Sequence, residues 1–496
     1  MRRRHVGGRA QIGVRFALVL LLVLVTIPVG AAPVMGAQDD DIPGVGIPAS
    51  PIGGTLDEVT DYDDVYAVNL NAGQSITAAL RGPAGADYDL YLYPPGSSDL
   101  LNDPLAAGSS AFGSVELLNY TAEAPGTYYI DVYSVSGSGG YSIVWRIENE
   151  VAGLYVTPME GLGRIETAII SARTAFPEGS EYVIIATARS FPDALGGSAL
   201  AGVLDAPILL TDPAALPGPV ATEIVDNLQA TKAVILGGTG AVSQAVEKQL
   251  IAMLGSANVE RIGGQNRYET AWRIAMRVLD EAALLGQAGP YFGFVATGAT
   301  FPDALAASSW GSGGWVPFFL VGPGTKPAAF AASLRAANVG SVAILGGTAA
   351  VPQTIQAAVV REGISADRLA GTSRYETAAV IAEAFGVADS VAITTGQDFP
   401  DALAGGAALG RYGVPILLTR PTLLEPVARG VLRSHAQTIE DVFFLGGAGA
   451  VSVAVRAGVR SAISSAWTPA SLGGGPVGVS AALEPHALDP AKGNRP

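Results

Sequence analysis

The sequence predicts a multidomain chain in which an N-terminal antiparallel β-sandwich precedes three tandem α/β repeats, each a parallel sheet in a three-layer arrangement. Two observations predict this fold class. Residues 51–150 contain short alternating polar and apolar strands separated by Gly, Pro, Asn and Asp, which is typical of a sandwich. Residues 160–467 repeat the same motifs in the same order three times, and their apolar strands alternate with helices, which is typical of a covered parallel sheet.

Both ends of the chain are predicted to lie outside the folded domains. Arg2, Arg3 and Arg4 precede an apolar stretch at 16–29 and then small residues, so residues 1–37 resemble a secretory signal peptide. The stretch is shorter than the roughly 20 residues of a spanning helix. We therefore expect a secreted protein with no membrane span after cleavage. Residues 38–50 are a predicted linker, and residues 468–496, rich in Pro, Gly, Ala and Ser, are a predicted flexible tail.

The net charge of −15 is unevenly distributed along the chain. Residues 38–150 hold 17 acidic and 2 basic residues, whereas residues 151–467 hold 25 acidic and 20 basic residues. No basic stripe is present to neutralise phosphates, which argues against a nucleic-acid partner. An anionic ligand of the repeats would have to meet local positive clusters. The chain has no cysteine, so packed cores rather than disulfides must stabilise it.

The first domain spans residues 51–150, with strands predicted at 65–70, 75–80, 88–93, 127–133 and 141–145. The phrases Asn71-Ala-Gly-Gln-Ser, Ala86-Asp-Tyr-Asp-Leu-Tyr-Leu and Gly126-Thr-Tyr-Tyr resemble the bacterial pre-peptidase C-terminal domain. This resemblance implies a β-sandwich accessory module whose partner is a polysaccharide or a protein.

Acidic residues of this domain raise a calcium hypothesis, because Ca²⁺ takes several carboxylate and carbonyl oxygens. The candidate ligands are Asp61, Asp63, Asp64, Asp87 and Asp89. The alternative is that they are solvated loop carboxylates, and their spacing does not follow the EF-hand pattern. No other cofactor is expected.

The three repeats are predicted at 160–259, 260–366 and 367–467, and each carries the same four motifs. The motifs are Arg-Ile/Tyr-Glu-Thr-Ala, Phe-Pro-Asp-Ala-Leu, a Pro-led apolar run, and Leu-Gly-Gly. The distance from the Phe-Pro-Asp motif to the Leu-Gly-Gly motif is 45, 44 and 46 residues. A period near 100 residues indicates duplication of a whole small domain.

These motifs, in this order, resemble the cell wall-binding repeat 2 family, which occurs in triplicate in surface proteins of Gram-positive bacteria. The resemblance implies non-covalent attachment to anionic polymers of the cell envelope by three modules acting together. The departures are few: Ile165 replaces an aromatic residue, and Phe318 and Phe319 replace an aliphatic pair.

Each repeat is expected to form a small parallel-sheet domain. In the first repeat, strands are predicted at 182–187, 207–211 and 233–236, and helices at 165–175, 193–204, 219–228 and 242–251. Ligands of such sheets usually lie beyond the carboxyl ends of the strands. The Phe-Pro-Asp and Gly-Gly motifs both fall at that edge.

The candidate polymer-binding residues come from these motifs: Arg164, Arg267, Arg374, Asp193, Asp303, Asp401, Gly238, Gly347 and Gly447. The aspartates have a structural alternative, which is to cap or open a helix after a proline. The glycines permit a tight turn whose amides are also able to meet an anion. The arginines oppose the helix dipole, so they either bond the Phe-Pro-Asp carboxylate or meet phosphate or carboxylate groups of the polymer.

A wall-associated hydrolase of the glycosidase or amidase type, or its modulator, is the alternative function. Of the three histidines, His5 and His486 lie in the predicted signal and tail, which leaves only His435 in a folded region. A zinc amidase would need more histidine ligands, and a cysteine nucleophile is excluded. No segment remains for a separate catalytic domain, so we expect a binding protein rather than an enzyme.

Overall fold

The computed structural model of the chain describes residues 41–100, 102–151, 153–190 and 194–465. The predicted signal peptide, the predicted tail and Asp193 lie outside these residues.

The first domain is a sandwich of two sheets, as predicted. One sheet has the strand order β1-β3-β8-β5-β6 and the other the order β2-β9-β4-β7. The strands are β1 (Val45–Gly46), β2 (Ile52–Asp57), β3 (Asp63–Leu70), β4 (Gln74–Arg81), β5 (Asp87–Tyr93), β6 (Ala107–Ser109), β7 (Val115–Thr121), β8 (Gly126–Ser136) and β9 (Ser138–Asn149). Alternation buries one side of each strand between the sheets, where the Tyr66 and Tyr141 hydroxyls bond each other. The five predicted strands are confirmed, whereas β1, β2, β6 and β7 were not predicted.

The rest of the described chain alternates strands with helices. The strands are β10 (Tyr155–Met159), β11 (Tyr182–Thr187), β12 (Ile208–Thr211), β13 (Lys232–Leu236), β14 (Val259–Ile262), β15 (Tyr291–Thr297), β16 (Phe318–Val321), β17 (Val339–Leu345), β18 (Ser365–Leu369), β19 (Ser390–Thr395), β20 (Ile416–Thr419) and β21 (Asp441–Leu445). The helices are α1 (Arg164–Ala175), α2 (Gly197–Val203), α3 (Gly218–Thr222), α4 (Gln244–Leu254), α5 (Arg267–Leu284), α6 (Pro302–Ala306), α7 (Ser308–Gly313), α8 (Pro327–Ala336), α9 (Gln353–Arg361), α10 (Arg374–Phe385), α11 (Pro400–Gly410), α12 (Pro426–Ser434) and α13 (Val453–Ser464).

The strands of the first repeat are confirmed to within one residue at each end. The helix predicted at 219–228 is α3 followed by a π-helical turn at Glu223–Asn227. The helix predicted at 193–204 is seen as α2, which begins at Gly197. Apolar side chains fill both faces of each sheet, which is why its central strands are mostly apolar.

The repeats form three four-stranded parallel sheets. In each sheet, one strand lies at or across a predicted repeat boundary. Sheet 1 has the order β12-β11-β13-β14, sheet 2 the order β16-β15-β17-β18, and sheet 3 the order β10-β21-β19-β20. The predicted limits after residues 259 and 366 fall within β14 and β18, which pair with the preceding repeat. Strand β10 precedes the first repeat yet pairs with β21 of the third. The three repeats therefore close into a ring.

The centre of the ring is formed by α2, α7 and α11, one helix from each repeat. Small residues let these backbones approach closely. A Cβ at Gly202 would overlap the Ser312 backbone oxygen, and a Cβ at Gly410 would lie against Ser309 and Ser312. The Ser312 hydroxyl donates to the Ala407 carbonyl at 2.8 Å. Shape, rather than charge, therefore sets this packing.

The sandwich lies across the junction between the third and the first repeats, and buried ion pairs hold it there. Arg456 of α13 is fully buried and bonds Glu160 at 2.6 Å. Glu160 also pairs with Arg146 of β9. The remaining pairs are Arg460 with Glu148 and Glu150, Arg81 with Glu166, and Arg173 with Glu116 and Glu223.

Candidate functional site

Each motif arginine begins a helix immediately after the last strand of the preceding sheet. Its Nη1 atom donates to a backbone carbonyl that follows the first strand of its own repeat. Arg164 bonds Ala188 O at 2.7 Å, Arg267 bonds Gly298 O at 2.8 Å, and Arg374 bonds Gly396 O at 2.6 Å. The arginines thus lie where the carboxyl ends of two neighbouring sheets meet. We call these three places the 1–2, 2–3 and 3–1 seams, after the repeats they join.

The Phe-Pro-Asp motif of one repeat faces the arginine of the next. The Arg374 guanidinium carbon lies 6.0 Å from the Phe301 ring centre, and that of Arg164 lies 5.9 Å from the Phe399 ring centre. Each phenylalanine belongs to the preceding repeat in the ring. Such cation–π contacts keep the positive charge at the seam while covering part of its apolar neighbour.

The motif aspartates also face the seams. Burial raises the pKa of Asp303, while Arg374 and a hydrogen bond with Thr377 oppose the rise. Burial and then Asp398 raise the pKa of Asp401 to about 6, against the effects of Arg164 and Thr167. Each threonine belongs to the next repeat, so the aspartate joins two repeats. Asp193, the third of the set, lies outside the described residues.

The described aspartates Asp303 and Asp401 open a helix after a proline, as their structural alternative predicts, but they do not cap it. Pro302 and Pro400 are the first residues of α6 and α11, as predicted, and no side-chain cap is present at either helix start. The described hydrogen bonds of the arginines go to carbonyl oxygens and, for Arg164, to Asp398 at 3.0 Å. Asp303 is therefore an electrostatic neighbour of Arg374, and Asp401 is an electrostatic neighbour of Arg164.

The Gly-Gly turns lie at the same edge of each sheet. The first glycine of each pair has a positive φ, with values of 98° at Gly237, 94° at Gly346 and 91° at Gly446. Side chains rarely adopt this backbone conformation. The predicted second glycines differ in surroundings: Gly347 faces open space, Gly238 lies near Gly264 O, and Gly447 lies near Gly161 O.

Sequence reasoning did not include the threonine and the glutamate of the first motif among the candidate binding residues. Thr167, Thr270 and Thr377 each accept a hydrogen bond from a backbone N–H six residues earlier. Glu269 and Glu376 accept from the amides of Gln265 and Thr372, whereas Glu166 pairs with Arg81 of the sandwich. Their recurrence in the motif was the available signal.

The five calcium candidates do not converge on one point. Asp64 accepts from the Tyr141 hydroxyl inside the sandwich, Asp89 accepts from Tyr91 at 2.6 Å, and Asp87 accepts from Gly113 N at 2.8 Å. Asp63 and Asp89 both flank Tyr133 in the sheet. Within the described ranges, no group of three or more His, Cys, Asp or Glu residues is arranged to hold a metal ion. Calcium binding stays a prediction.

His435 lies at the surface beside a carboxylate. Its Nε2 lies 3.0 Å from the Glu383 carboxylate, and both side chains are partly exposed. A cavity of about 430 Å³ lies between the sandwich and the first repeat, next to Arg173 and Glu223. Its charged side chains take part in the docking of the sandwich. Neither the surroundings of His435 nor this cavity contains a recognisable arrangement of catalytic side chains among the described residues.

Comparison with known proteins identifies two families in the chain. The sequence model of the family described as Cell wall binding domain 2 (CWB2) matches residues 159–247, 261–356 and 368–456, more than half of the chain. That of the bacterial pre-peptidase C-terminal domain matches residues 62–134.

Two curated relatives come from Bacillus subtilis. The chain is 26% identical over 330 residues to the N-acetylmuramoyl-L-alanine amidase LytC, covering 66% of this chain and 62% of the relative. It is 27% identical over 349 residues to an amidase enhancer, covering 69% of this chain and 44% of the relative. The chain thus spans less than two thirds of the length of either protein.

Two solved structures from Clostridium difficile share the fold. Cwp8 is 24% identical with a TM-score of 0.55, over 64% of this chain and 52% of that one. Cwp6 is 21% identical with a TM-score of 0.57, over 82% of this chain and 68% of that one. Among the described residues of the present chain, no helix has the length and apolar character needed to cross a membrane.

Proposed function

Because the chain belongs to the Cell wall binding domain 2 family, we propose that it is a secreted protein that attaches non-covalently to the bacterial cell wall. Its repeats bind anionic wall polymers, and its sandwich is an accessory domain displayed at the cell surface. Attachment is the property that the name of the family describes, and the matched ranges lie entirely in the repeats.

One observation carries the choice of site: a motif arginine recurs at each seam, beside the carboxyl ends of two parallel sheets. Arg374 is exposed there; it contacts a carbonyl oxygen and a phenyl ring, and the Asp303 carboxylate is its electrostatic neighbour. A guanidinium in this setting keeps donors available for phosphate or carboxylate groups. Because the repeats have nearly balanced charge, such local cations are what an anionic polymer would meet.

We propose a binding role rather than an enzymatic one, with modulation of a wall hydrolase as the alternative. The relatives are named as an amidase and as an enhancer of an amidase, and the chain covers only part of each. The matched repeats are binding domains, and His435 makes a surface pair with Glu383. An assay of wall lysis with and without an added amidase separates the two functions.

The mode of attachment is tested by extraction. A strong denaturant should release the mature protein from isolated walls of the producing organism, because no covalent bond must break. Release only after muramidase digestion would contradict non-covalent attachment.

The site is tested by replacing Arg267 and Arg374 with Gln, which keeps hydrogen-bonding capacity but removes two charges. Binding to isolated walls should weaken, and its dependence on salt should flatten, while the melting temperature falls little. The exposed Arg361 and Arg433, replaced by Gln in the same way, form the control with equal loss of charge. A large fall in melting temperature with unchanged wall binding would show that the seam arginines serve the fold alone.

A further inference from the structure

The three seams carry the same motifs but differ in what surrounds the arginine. We infer that the 3–1 seam is closed to anionic polymer by groups of the chain itself, whereas the 2–3 seam is open to it. This inference rests on the proposed function.

The first difference is an acid in the 3–1 seam. The residue before the Phe-Pro-Asp motif is Ser190 in the first repeat, Thr300 in the second and Asp398 in the third. Asp398 pairs with Arg164 at 3.0 Å. A carboxylate there occupies donors of the guanidinium that a polymer phosphate or carboxylate would otherwise take.

The geometry of the two described seams makes the comparison direct. Arg164 stacks on Phe399 and Arg374 stacks on Phe301, at 5.9 and 6.0 Å. Asp398 and Thr300 each precede the stacked phenylalanine, and both are exposed. At this position, the two seams therefore differ in one side chain, a carboxylate in the 3–1 seam and a hydroxyl in the 2–3 seam.

The second difference is the sandwich, which reaches the 3–1 seam. The Arg81 side chain at the end of β4 pairs with Glu166 at 2.6 Å and passes beside Gly163. In the other repeats the equivalent Glu269 and Glu376 accept backbone amides before their own helices. The sandwich thus covers part of the edge that stays uncovered at the 2–3 seam.

The third difference is the residue that follows the arginine. Tyr268 and Tyr375 lie against glycines at the carboxyl edge of their sheets, near Gly298 and Gly396. The 3–1 seam has Ile165 instead, which packs on the same core as the two tyrosines but carries no hydroxyl. This seam has therefore lost an aromatic hydroxyl and gained a counter-ion, and Asp398 and Asp401 together give it more negative charge than Asp303 gives the 2–3 seam.

Exchanging the side chains of Thr300 and Asp398, which precede the phenylalanine in the two seams, tests the inference. The protein used is the full mature chain, and isolated walls are the probe. Thr300→Asp should place a carboxylate beside Arg374 and lower the affinity for walls about fivefold, the worth of one exposed ion pair. Thr300→Asn, of the same shape without the charge, should bind as the unaltered chain does. Asp398→Thr should raise the affinity about threefold, because opening a further site adds to avidity.

Arg374→Gln is the reference for a disabled seam. Loss of wall binding in Arg374→Gln and in Thr300→Asp, but not in Thr300→Asn, supports closure by the acid. If Arg374→Gln weakens binding while Thr300→Asp and Thr300→Asn bind alike, an acid at this position does not close a seam. The inference is then wrong, whereas the arginine remains the proposed binding site. Reduced binding by Asp398→Thr would also overturn closure. If Arg374→Gln itself leaves binding unchanged, the proposed site fails, and the inference fails with it.

Discussion

Two kinds of contact hold this molecule together. Between repeats, α2, α7 and α11 meet through glycine, alanine and serine, with a backbone oxygen of Ser312 packed against Gly202. Between the sandwich and the repeats, Arg146, Glu160 and Arg456 form a buried ionic cluster. Shape decides the first contact and charge the second. The repeats therefore form one packed unit, whereas the sandwich is held in one orientation by pairs that lose stability when a partner is missing.

The largest expected effect comes from breaking the buried ionic cluster. Glu160→Ala would leave the fully buried Arg456 without the carboxylate it bonds at 2.6 Å. Burial lowers the pKa of Arg456 to about 10 even though Glu148 opposes the change, so the site disfavours an uncompensated charge. We expect a loss of about 3–5 kcal/mol in the free energy of unfolding, measured by denaturant titration.

The control for this variant is an exposed pair. Arg189 and Asp212 lie 3.2 Å apart with side chains 69% and 45% exposed. Asp212→Ala should cost less than about 1 kcal/mol. Equal losses for Asp212→Ala and Glu160→Ala would mean that water reaches the cluster and that charge does not fix the sandwich.

The next effect tests the contact between repeats. A methyl group at Gly202 would overlap the Ser312 backbone oxygen, which cannot move without shifting α7. We expect Gly202→Ala to lose about 1–3 kcal/mol, measured in the same way.

Gly430 of α12 supplies the matched control, because a Cβ there meets nothing within 4 Å. Gly430→Ala should be neutral or stabilise by up to about 1 kcal/mol, since alanine favours a helix. A neutral Gly202→Ala would show that the central helices are not tightly packed.

A smaller effect is expected from pH. Burial raises the pKa of Glu116 to about 7 from its ordinary 4.5, although Arg173 opposes the rise. A carboxyl whose pKa is raised by folding contributes stability with its proton bound, fully below about pH 4.5, and loses it as the pH rises through 7. Glu116→Gln cannot titrate. Its melting temperature should therefore fall less between pH 4.5 and pH 8 than that of the unaltered chain, by roughly 2–4 °C.

Asp401 provides the same comparison at a seam between repeats. Its pKa is raised to about 6 from 3.8, chiefly by burial, so its stabilising effect should be lost between about pH 4 and pH 6. Asp401→Asn should remove the pH dependence in that window and Glu116→Gln the part that extends to pH 7. Identical pH profiles for the two variants would contradict the separate assignment of these carboxyls.

The order of strands and helices within each repeat was predictable, because every copy carries its own apolar strands and its own glycine turn. The closure of the three repeats into a ring was not predictable. Strand β10 looks like a short linker segment, and its partner β21 lies at the far end of the repeats. Nothing in the local pattern of 155–159 indicates which sheet that strand joins, since parallel pairing is set by tertiary contacts.

The residue types of the candidate site were predictable from the motifs, but the residues that they contact were not. The motifs identified the arginines and aspartates. However, one partner of Arg164 is Asp398, which lies outside the repeated motifs. The buried ionic cluster that holds the sandwich against the repeats was also not predicted. Arg456 and Arg460 stand one turn apart in the otherwise apolar α13, and this pattern was the available signal for buried partners.

The smallest effect concerns the acidity of the sandwich, which opposes an anionic polymer only at long range. Glu123 is exposed between β7 and β8, and Glu123→Lys changes the local charge by two. The rate of association with isolated walls should rise less than about twofold at low salt and be unchanged at high salt, since charges are screened over about 10 Å at 0.1 M. Glu123→Gln should give about half of that change. An increase that persists at high salt would mean that this loop touches the wall directly, and attachment would then no longer belong to the repeats alone.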